Sequence, residues 1–167
     1  MWIRYDDRQG GLRPGFGARN TTFGPELGFG TIVGDAIKEP VLLIKTCWGG
    51  KSIMVDFRPP SSDMPPKAMM EKMLGGMQRR EPKATMKDAE AKVGFYYREM
   101  LTAVAQTLKD LKKYYPAYDG KGYEVVGFGW HQGWNDGGNM DNVNAYEENL
   151  ANLIKDIRKE WGTPNLP

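Results

Sequence analysis

The chain is poor in the residues that most often carry covalent cross-links, metal ligands or catalysis. It has 167 residues, with one cysteine (Cys47), one histidine (His131) and three serines. A single cysteine excludes a disulfide framework and a cysteine-based zinc site. Because Cys47 stands in an apolar run, we expect it in the core. No cluster of carboxylates compensates for the missing ligands, so the sequence predicts neither a metal site nor a cofactor.

Strong charge and long apolar segments are also missing. The formal net charge is +2 and the pI is near 8.6, which is too mild to indicate a nucleic-acid-binding domain. No apolar segment is long enough to cross a bilayer, and residues 1–7 lack the apolar region of a signal peptide. The hydrophobic content of 40% fits one globular domain. These features suit a cytoplasmic protein or a segment of a larger chain, and they leave the oligomeric state open.

The first half of the chain predicts helix followed by strand. Residues 1–22 are rich in glycine and arginine and indicate a loop with one short strand at 2–5. Pro25 suits the first turn of a helix, whose apolar side comprises Leu27, Ile32, Val33, Ala36 and Ile37. The continuous apolar run at 41–44 is typical of a parallel strand buried on both faces. Residues 58–87 then predict a long surface excursion with a short helix at 69–74.

The second half repeats the alternation. Apolar residues at helical spacing predict a long helix over 88–115, comprising Val93, Tyr97, Met100, Leu101, Val104, Leu108 and Leu111. A strand is predicted at 123–130 and a helix at 143–161. Helix and strand in alternation favour an α/β fold with a parallel sheet. Two or three strands are fewer than the usual ~5–6, so we expect residues 1–167 to be a single domain truncated at both ends.

Two polar loops follow the two predicted inner strands. One is Trp48-Gly49-Gly50, and the other is W-H-Q-G-W-N-D at 130–136. Ligands of open α/β sheets bind beyond the carboxyl ends of the strands, so we expect both loops at one rim. Each feature taken alone also has a structural explanation: glycines make turns, tryptophans cover sheet edges, and a histidine at a strand end is commonly hydrogen-bonded in place.

A complete catalytic triad is not indicated. Ser52, His131 and either Asp136 or Asp56 could be drawn together at the predicted rim. However, Ser52 lacks the small neighbours of the G-x-S-x-G turn that exposes a serine nucleophile. The glycines at 28–34 do not match a dinucleotide-binding fingerprint, and no phosphate-binding P-loop is present.

Four segments together resemble a known family. These are FGPELGFG (23–30), LIKTCWGGKSI (43–53), DFRPPSS (56–62) and GFGWHQGWND (127–136). In this order they resemble the sialate O-acetylesterase-like domain, a carbohydrate-esterase branch of the SGNH hydrolases. Similar domains with W-H-Q-G-W-N-D occur in secreted or periplasmic bacterial proteins. More distant members have glutamate where Trp134 stands. The resemblance covers nearly the whole chain.

The resemblance implies a fold and a reaction. The fold is a three-layer α/β/α sandwich around a parallel sheet of about five strands, flavodoxin-like in order. The reaction is removal of acetyl groups from carbohydrate hydroxyls through an acyl-serine intermediate. The family's nucleophile stands in a G-Q-S-N-M-type block and its base in a D-x-x-H block. Neither block occurs here, so we expect both outside this sequence and expect the chain by itself to be inactive.

The resemblance also assigns residues within the chain. A backbone N–H at Gly49 or Gly50 and the side-chain amide of Gln132 would contribute to the oxyanion hole. The residues that would bind substrate or shape the site are Trp48, Trp130, His131, Trp134 and Asp136. His131 is not the family's catalytic histidine. The implied partner is an acetylated carbohydrate, whose sugar and acyl group the sequence does not specify.

Two other functions stay open at this stage. A domain without a nucleophile could bind glycans through Trp48, Trp130 and Trp134, since aromatic faces stack on sugars. A protein-interaction domain built on the methionine-rich segment is the third interpretation. Its only support is the methionines, which are commonly gap-fillers in cores.

Overall fold

A computed structural model describes residues 1–167. The chain is mixed α/β, with three strands and six helices. The strands are β1 Trp2–Tyr5, β2 Arg8–Gly11 and β3 Leu42–Lys45; the helices are α1 Pro25–Ala36, α2 Lys67–Gln78, α3 Met86–Lys92, α4 Phe95–Lys109, α5 Leu111–Tyr114 and α6 Met140–Glu160. None of the helices combines the length and apolar character needed to cross a bilayer. The elements group into two compact units, one from Met1–Trp48 with Met100–Tyr123 and one from Gly49–Glu99 with Glu124–Pro167.

The first unit contains the sheet, in the order β2-β1-β3. Strand β1 pairs in parallel with β3, as the apolar run predicted, and the strand at 2–5 is confirmed. The side chain of Ile3 in β1 is fully buried, whereas β3 is only half-buried, so its predicted burial on both faces was wrong. Strand β2 pairs antiparallel with β1 across a turn in which Asp6 has φ 56°. The prediction of a loop there was wrong because hairpin pairing outweighs the low strand propensity of its glycines.

Helix α1 begins at Pro25 as predicted, but its apolar side is not its buried side. Ile32 is 73% exposed, while Gly30 is buried. A Cβ atom at Gly30 would lie 2.5 Å from Leu12 Cδ2 and 2.8 Å from Leu43 Cδ1. The helix therefore packs through a position without a side chain, which allows close approach to its neighbours.

The long helix predicted over 88–115 is divided into α3, α4 and α5. The first break is at Gly94, which has φ +66° and donates its N–H to Val55 O at 2.7 Å. A left-handed backbone cannot continue an α-helix. The predicted apolar stripe is otherwise confirmed at Tyr97, Met100 and Val104, which are buried.

The strand predicted at 123–130 is wrong, and with it the pairing of two inner parallel strands. These residues form no ladder, and Phe128 N–H donates to Pro167 O at 3.0 Å instead. Tyr123 and Val126 are largely exposed. An apolar run supplies strand propensity but not the neighbouring strand that a ladder requires.

The second unit is built from helices and turns. Helix α2 is longer than the segment predicted at 69–74. Helix α6 confirms the predicted C-terminal helix, and the side chain of Asn139 caps it by accepting from Asp141 N–H at 2.8 Å. The buried residues of α6 include polar Asn149 and Asp156, whereas apolar Val143 and Ile154 are exposed. The apolar stripe predicted for α6 therefore coincides only in part with the face of the helix that is buried.

Candidate functional site

The carboxylate of Asp136 is the centre of a hydrogen-bonded cluster in the second unit. Asp136 is 1% exposed. It accepts from Ile53 N–H at 2.9 Å and Met54 N–H at 3.2 Å, and from the side-chain amides of Gln132 at 2.6 Å and Asn142 at 3.4 Å. This set, the Asp136 cluster, joins the loop at 130–138 to the segment at 51–57. Asp136 therefore fixes these two segments against each other, and its part in a functional site stays a prediction.

Gln132 connects this cluster to the glycine turn. Its Nε2 atom donates to Asp136 and also to Lys51 O at 2.8 Å. Lys51 directly follows Gly49 and Gly50. One amide hydrogen of Gln132 therefore joins its loop to the residue that follows the glycine turn, and the other is engaged within the loop by Asp136.

The Gly49–Gly50 turn is open to the surroundings. Both glycines are exposed, and Gly50 has φ +68°, a conformation that favours glycine. A Cβ atom added at either position would meet nothing within 4 Å. The backbone of this turn can therefore be approached closely by a bound molecule.

Tyr146 belongs to this candidate site, although its sequence pattern does not indicate it. Its hydroxyl donates to Gln132 O at 2.7 Å, lies 3.1 Å from Gln132 Oε1, and accepts from Trp130 Nε1 at 3.1 Å. The periodicity of α6 assigned Tyr146 to an apolar stripe. The available signal was its hydroxyl, because a tyrosine on a buried face usually has a hydrogen-bonding partner.

Replacing Tyr146 with phenylalanine is expected to lower the free energy of unfolding by about 1 kcal/mol, since two hydrogen bonds to the 130–132 loop are lost without a change in ring packing. Chemical denaturation measures the difference. Tyr123→Phe is the matched control, because Tyr123 is exposed and its hydroxyl should contribute nothing measurable. Equal stability of Tyr146→Phe and Tyr123→Phe would show that the hydroxyl of Tyr146 does not hold the loop.

The three tryptophans named in the sequence analysis have different surroundings. The ring of Trp130 packs edge-on against Phe57, with centroids 5.3 Å apart, and its N–H is engaged by Tyr146. Trp134 is 99% exposed. Trp48 is half-buried and belongs to the first compact unit.

The single histidine and the single cysteine of the chain are both at the surface. His131 is exposed. Cys47 is exposed too, so its expected place in the core was wrong. It comes after the end of β3, where the apolar run has ended.

Ser52 is a capping residue of the turn at 52–57. It is buried, and its N–H and Oγ both donate to Asp56 Oδ2, at 2.9 and 3.1 Å. Its Oγ also accepts from Val55 N–H at 3.1 Å. Asp56 has a cationic neighbour in Lys51, whose Nζ lies 3.7 Å from Oδ1. A hydroxyl bonded to a carboxylate and a backbone N–H in this way stabilises a turn.

The D-F-R-P-P-S-S motif is attached to α6. Ser61 N–H and Oγ both donate to Asp156, the former at 2.9 Å, and Asn152 Nδ2 donates to Ser62 Oγ at 3.1 Å.

Burial, with the nearby carboxylates of Asp156 and Glu160, raises the pKa of Tyr97 to about 12, so Tyr97 stays protonated at neutral pH. No three histidine, cysteine or carboxylate side chains lie together as metal ligands.

Comparison with known proteins identifies the family. The family model described as "Carbohydrate esterase, sialic acid-specific acetylesterase" matches residues 12–167. Neither a search of curated proteins nor a search of solved structures finds a match. The family match includes the glycine turn, the Asp136 cluster and the serines held by α6. The chain therefore belongs to the carbohydrate esterase family of sialic acid-specific acetylesterases.

Proposed function

We propose that this chain supplies the oxyanion-stabilising part of a serine esterase that removes acetyl groups from carbohydrate hydroxyls. The observation that carries the proposal is the hydrogen bond from Gln132 Nε2 to Lys51 O, 2.8 Å long, which holds a side-chain amide beside the open Gly49–Gly50 turn. Amide N–H groups that converge on one place can stabilise the negative oxygen of a tetrahedral intermediate. Membership of the esterase family supports this assignment.

In the proposed reaction, a serine hydroxyl from outside this sequence attacks the acetyl carbonyl carbon. The carbonyl oxygen gains the negative charge and accepts hydrogen bonds from a backbone N–H at Gly49 or Gly50 and from Gln132. A histidine, also from outside this sequence, takes the serine proton and passes it to the leaving sugar oxygen. Water then hydrolyses the acetyl-serine by the reverse sequence of proton transfers.

Gln132 must change one partner to act in this way. Both of its amide hydrogens are engaged, one by Asp136 and one by Lys51 O. The bond to Asp136 connects it to the buried cluster, so the bond to Lys51 O is the one that a substrate oxygen would replace. The alternative is that Gln132 serves only to join the two loops.

The test of the proposal is an ester hydrolysis assay on the 167-residue chain. Because Ser52 Oγ is buried and engaged by Asp56, hydrolysis of an aryl acetate should not exceed that of the Ser52→Ala variant or of buffer. Turnover that is clearly above background and lost in Ser52→Ala would contradict the proposal, since it would make Ser52 the nucleophile.

Glycan binding without catalysis is the second candidate, and the exposure of Trp134 favours it. The indole is 99% exposed, on a turn in which Asp136 N–H and Gly137 N–H both donate to Gly133 O at 3.1 Å. An exposed aromatic face on a fixed turn suits stacking against a sugar ring. Trp130 is less suited, because its ring is stacked with that of Phe128, with centroids 6.3 Å apart, and its N–H is engaged by Tyr146.

A binding assay separates this candidate from the first. Trp134→Ala should abolish retention on an immobilised acetylated glycan if the chain is a binding domain, while Trp161→Ala, which alters the end of α6, should not. Unchanged retention of Trp134→Ala would contradict a binding role for the exposed indole.

We also infer that residues 1–167 belong to one domain with a three-layer α/β/α sandwich around a parallel sheet. The parallel pairing of β1 with β3 supports this fold. Further strands from outside this sequence would extend the sheet.

A further inference from the structure

A cavity of about 690 Å³ lies in the first compact unit. It is bounded by the turn between β1 and β2, by the segment at 13–20, and by the end of α5. Its volume falls within the ~300–1,000 Å³ of typical small-molecule sites. The residues proposed for ester hydrolysis at 49–50 and 132 do not line it.

The charged groups around the cavity are mainly cationic. Four cations line it, against two carboxylates: Arg4, Arg8, Arg13 and Lys113, with Asp6 and Asp7. The ion pairs of the chain are formed by other residues, so none of the four cations forms an ion pair with Asp6 or Asp7. A concave surface of one dominant sign concentrates molecules of the opposite charge.

Arg4 has hydrogen-bonding capacity to spare. Its guanidinium lies over the ring of Tyr114, 4.1 Å from the centroid, and Nη1 donates to Thr107 Oγ1 at 2.9 Å. Its Nε–H is buried and has no hydrogen-bonding partner, which is true of no other buried side-chain polar atom in the chain. Because Nε is closed to a ligand, Nη2 is the group of Arg4 that a bound anion can use, since only Nη1 donates to the protein.

Of the other three cations, one is hydrogen-bonded to the protein and two are available to a ligand. Arg8 is committed to the protein, because Nη1 and Nη2 donate to Gly15 O at 2.6 Å and Gly17 O at 3.0 Å. It therefore fixes the wall of the cavity. Arg13 and Lys113 are exposed at its edge, and neither side chain donates a hydrogen bond to the protein. Lys113 Nζ lies over the ring of Tyr114, 5.1 Å from the centroid, and the N–H groups of both side chains remain available to a ligand.

We propose that this cavity binds a small molecule through a carboxylate or phosphate group, with Arg4, Arg13 and Lys113 as its cationic contacts. Guanidinium groups match the planar, two-oxygen face of such anions. The site is independent of the proposed esterase function, and either can fail without the other.

The test is a calorimetric titration of the chain with sugars that differ only in charge. Glucuronate and glucose 6-phosphate carry the two candidate anions on one type of ring, and glucose is the neutral control. We expect one or both anions to bind with a Kd of roughly 1 mM or tighter, more weakly as salt is added, and glucose not to bind. The tighter of the two identifies the anion. Equal binding of glucose, or binding of neither anion, would overturn the proposal.

Variants locate the site. Arg13→Gln with Lys113→Gln should weaken anion binding at least about tenfold, the equivalent of one charge-assisted hydrogen bond. Because both side chains are exposed, thermal unfolding of this variant should be unchanged. Lys38→Gln is the matched control, since Lys38 is exposed on the same unit and does not line the cavity. An equal loss in Lys38→Gln, or no loss in the double variant, would show that binding does not occur in the cavity.

Discussion

Replacing Asp136 with alanine is expected to lower the free energy of unfolding by at least about 3 kcal/mol, a larger loss than for Tyr146→Phe or Asp141→Ala. The carboxylate is buried and accepts from Ile53 N–H, Met54 N–H and Gln132 Nε2. Alanine would leave these donors without an acceptor, and each buried donor left unpaired costs about 1–3 kcal/mol. For a chain of this length the melting temperature should fall by roughly 6–12 °C.

Asp141→Ala is the control for loss of a carboxylate. Asp141 is exposed in the first turn of α6, where its charge favours the helix dipole by about 0.3–1 kcal/mol. Asp136→Asn keeps the shape of the side chain but presents an amide donor towards N–H groups. Its melting temperature should therefore lie between those of the parent chain and Asp136→Ala. Equal melting temperatures for Asp136→Ala and Asp141→Ala would mean that the Asp136 cluster does not stabilise the second unit.

The second large effect concerns Gln132 and catalysis. The effect is expected in a longer chain that joins residues 1–167 to the nucleophile and base blocks of the family. There, Gln132→Ala should lower kcat by roughly 10²–10³ with little change in KM, because an oxyanion donor acts only in the transition state. Stability will also fall, since the amide bridges Lys51 O and Asp136. Turnover is therefore the decisive quantity, measured beside thermal unfolding.

Asn142→Ala provides the comparison. Its amide also donates to Asp136, at 3.4 Å, so its loss loosens the same cluster without removing a proposed oxyanion donor. We expect kcat close to that of the parent chain. If Gln132→Ala and Asn142→Ala have similar kcat values and both melt earlier, Gln132 only joins the two loops, and its assignment to the oxyanion hole is wrong.

Local signals in the sequence determined the elements that depend on near neighbours. Pro25 starts α1 because its fixed φ suits the first turn, and the run at 41–44 gives β3 within one residue of its predicted position. Helix α6 follows from its amphipathic spacing. The family resemblance, carried by four motifs in order, agrees with the family match over residues 12–167. The approach of the Gln132 loop to the segment after Gly50 was also expected, although through two parallel strands that do not both form.

Only the tertiary structure decided the features that depend on partners distant in sequence. The break at Gly94 accompanies its N–H bond to Val55 O, and no periodicity signals such a contact. Residues 123–130 have strand propensity but no adjacent strand, and in place of a ladder Phe128 N–H donates to Pro167 O. The carboxylate of Asp136 looks like part of an ordinary turn in the sequence. It becomes the buried centre of the candidate site because its backbone donors, at 53 and 54, are more than 80 residues away in sequence and are brought to it only by folding.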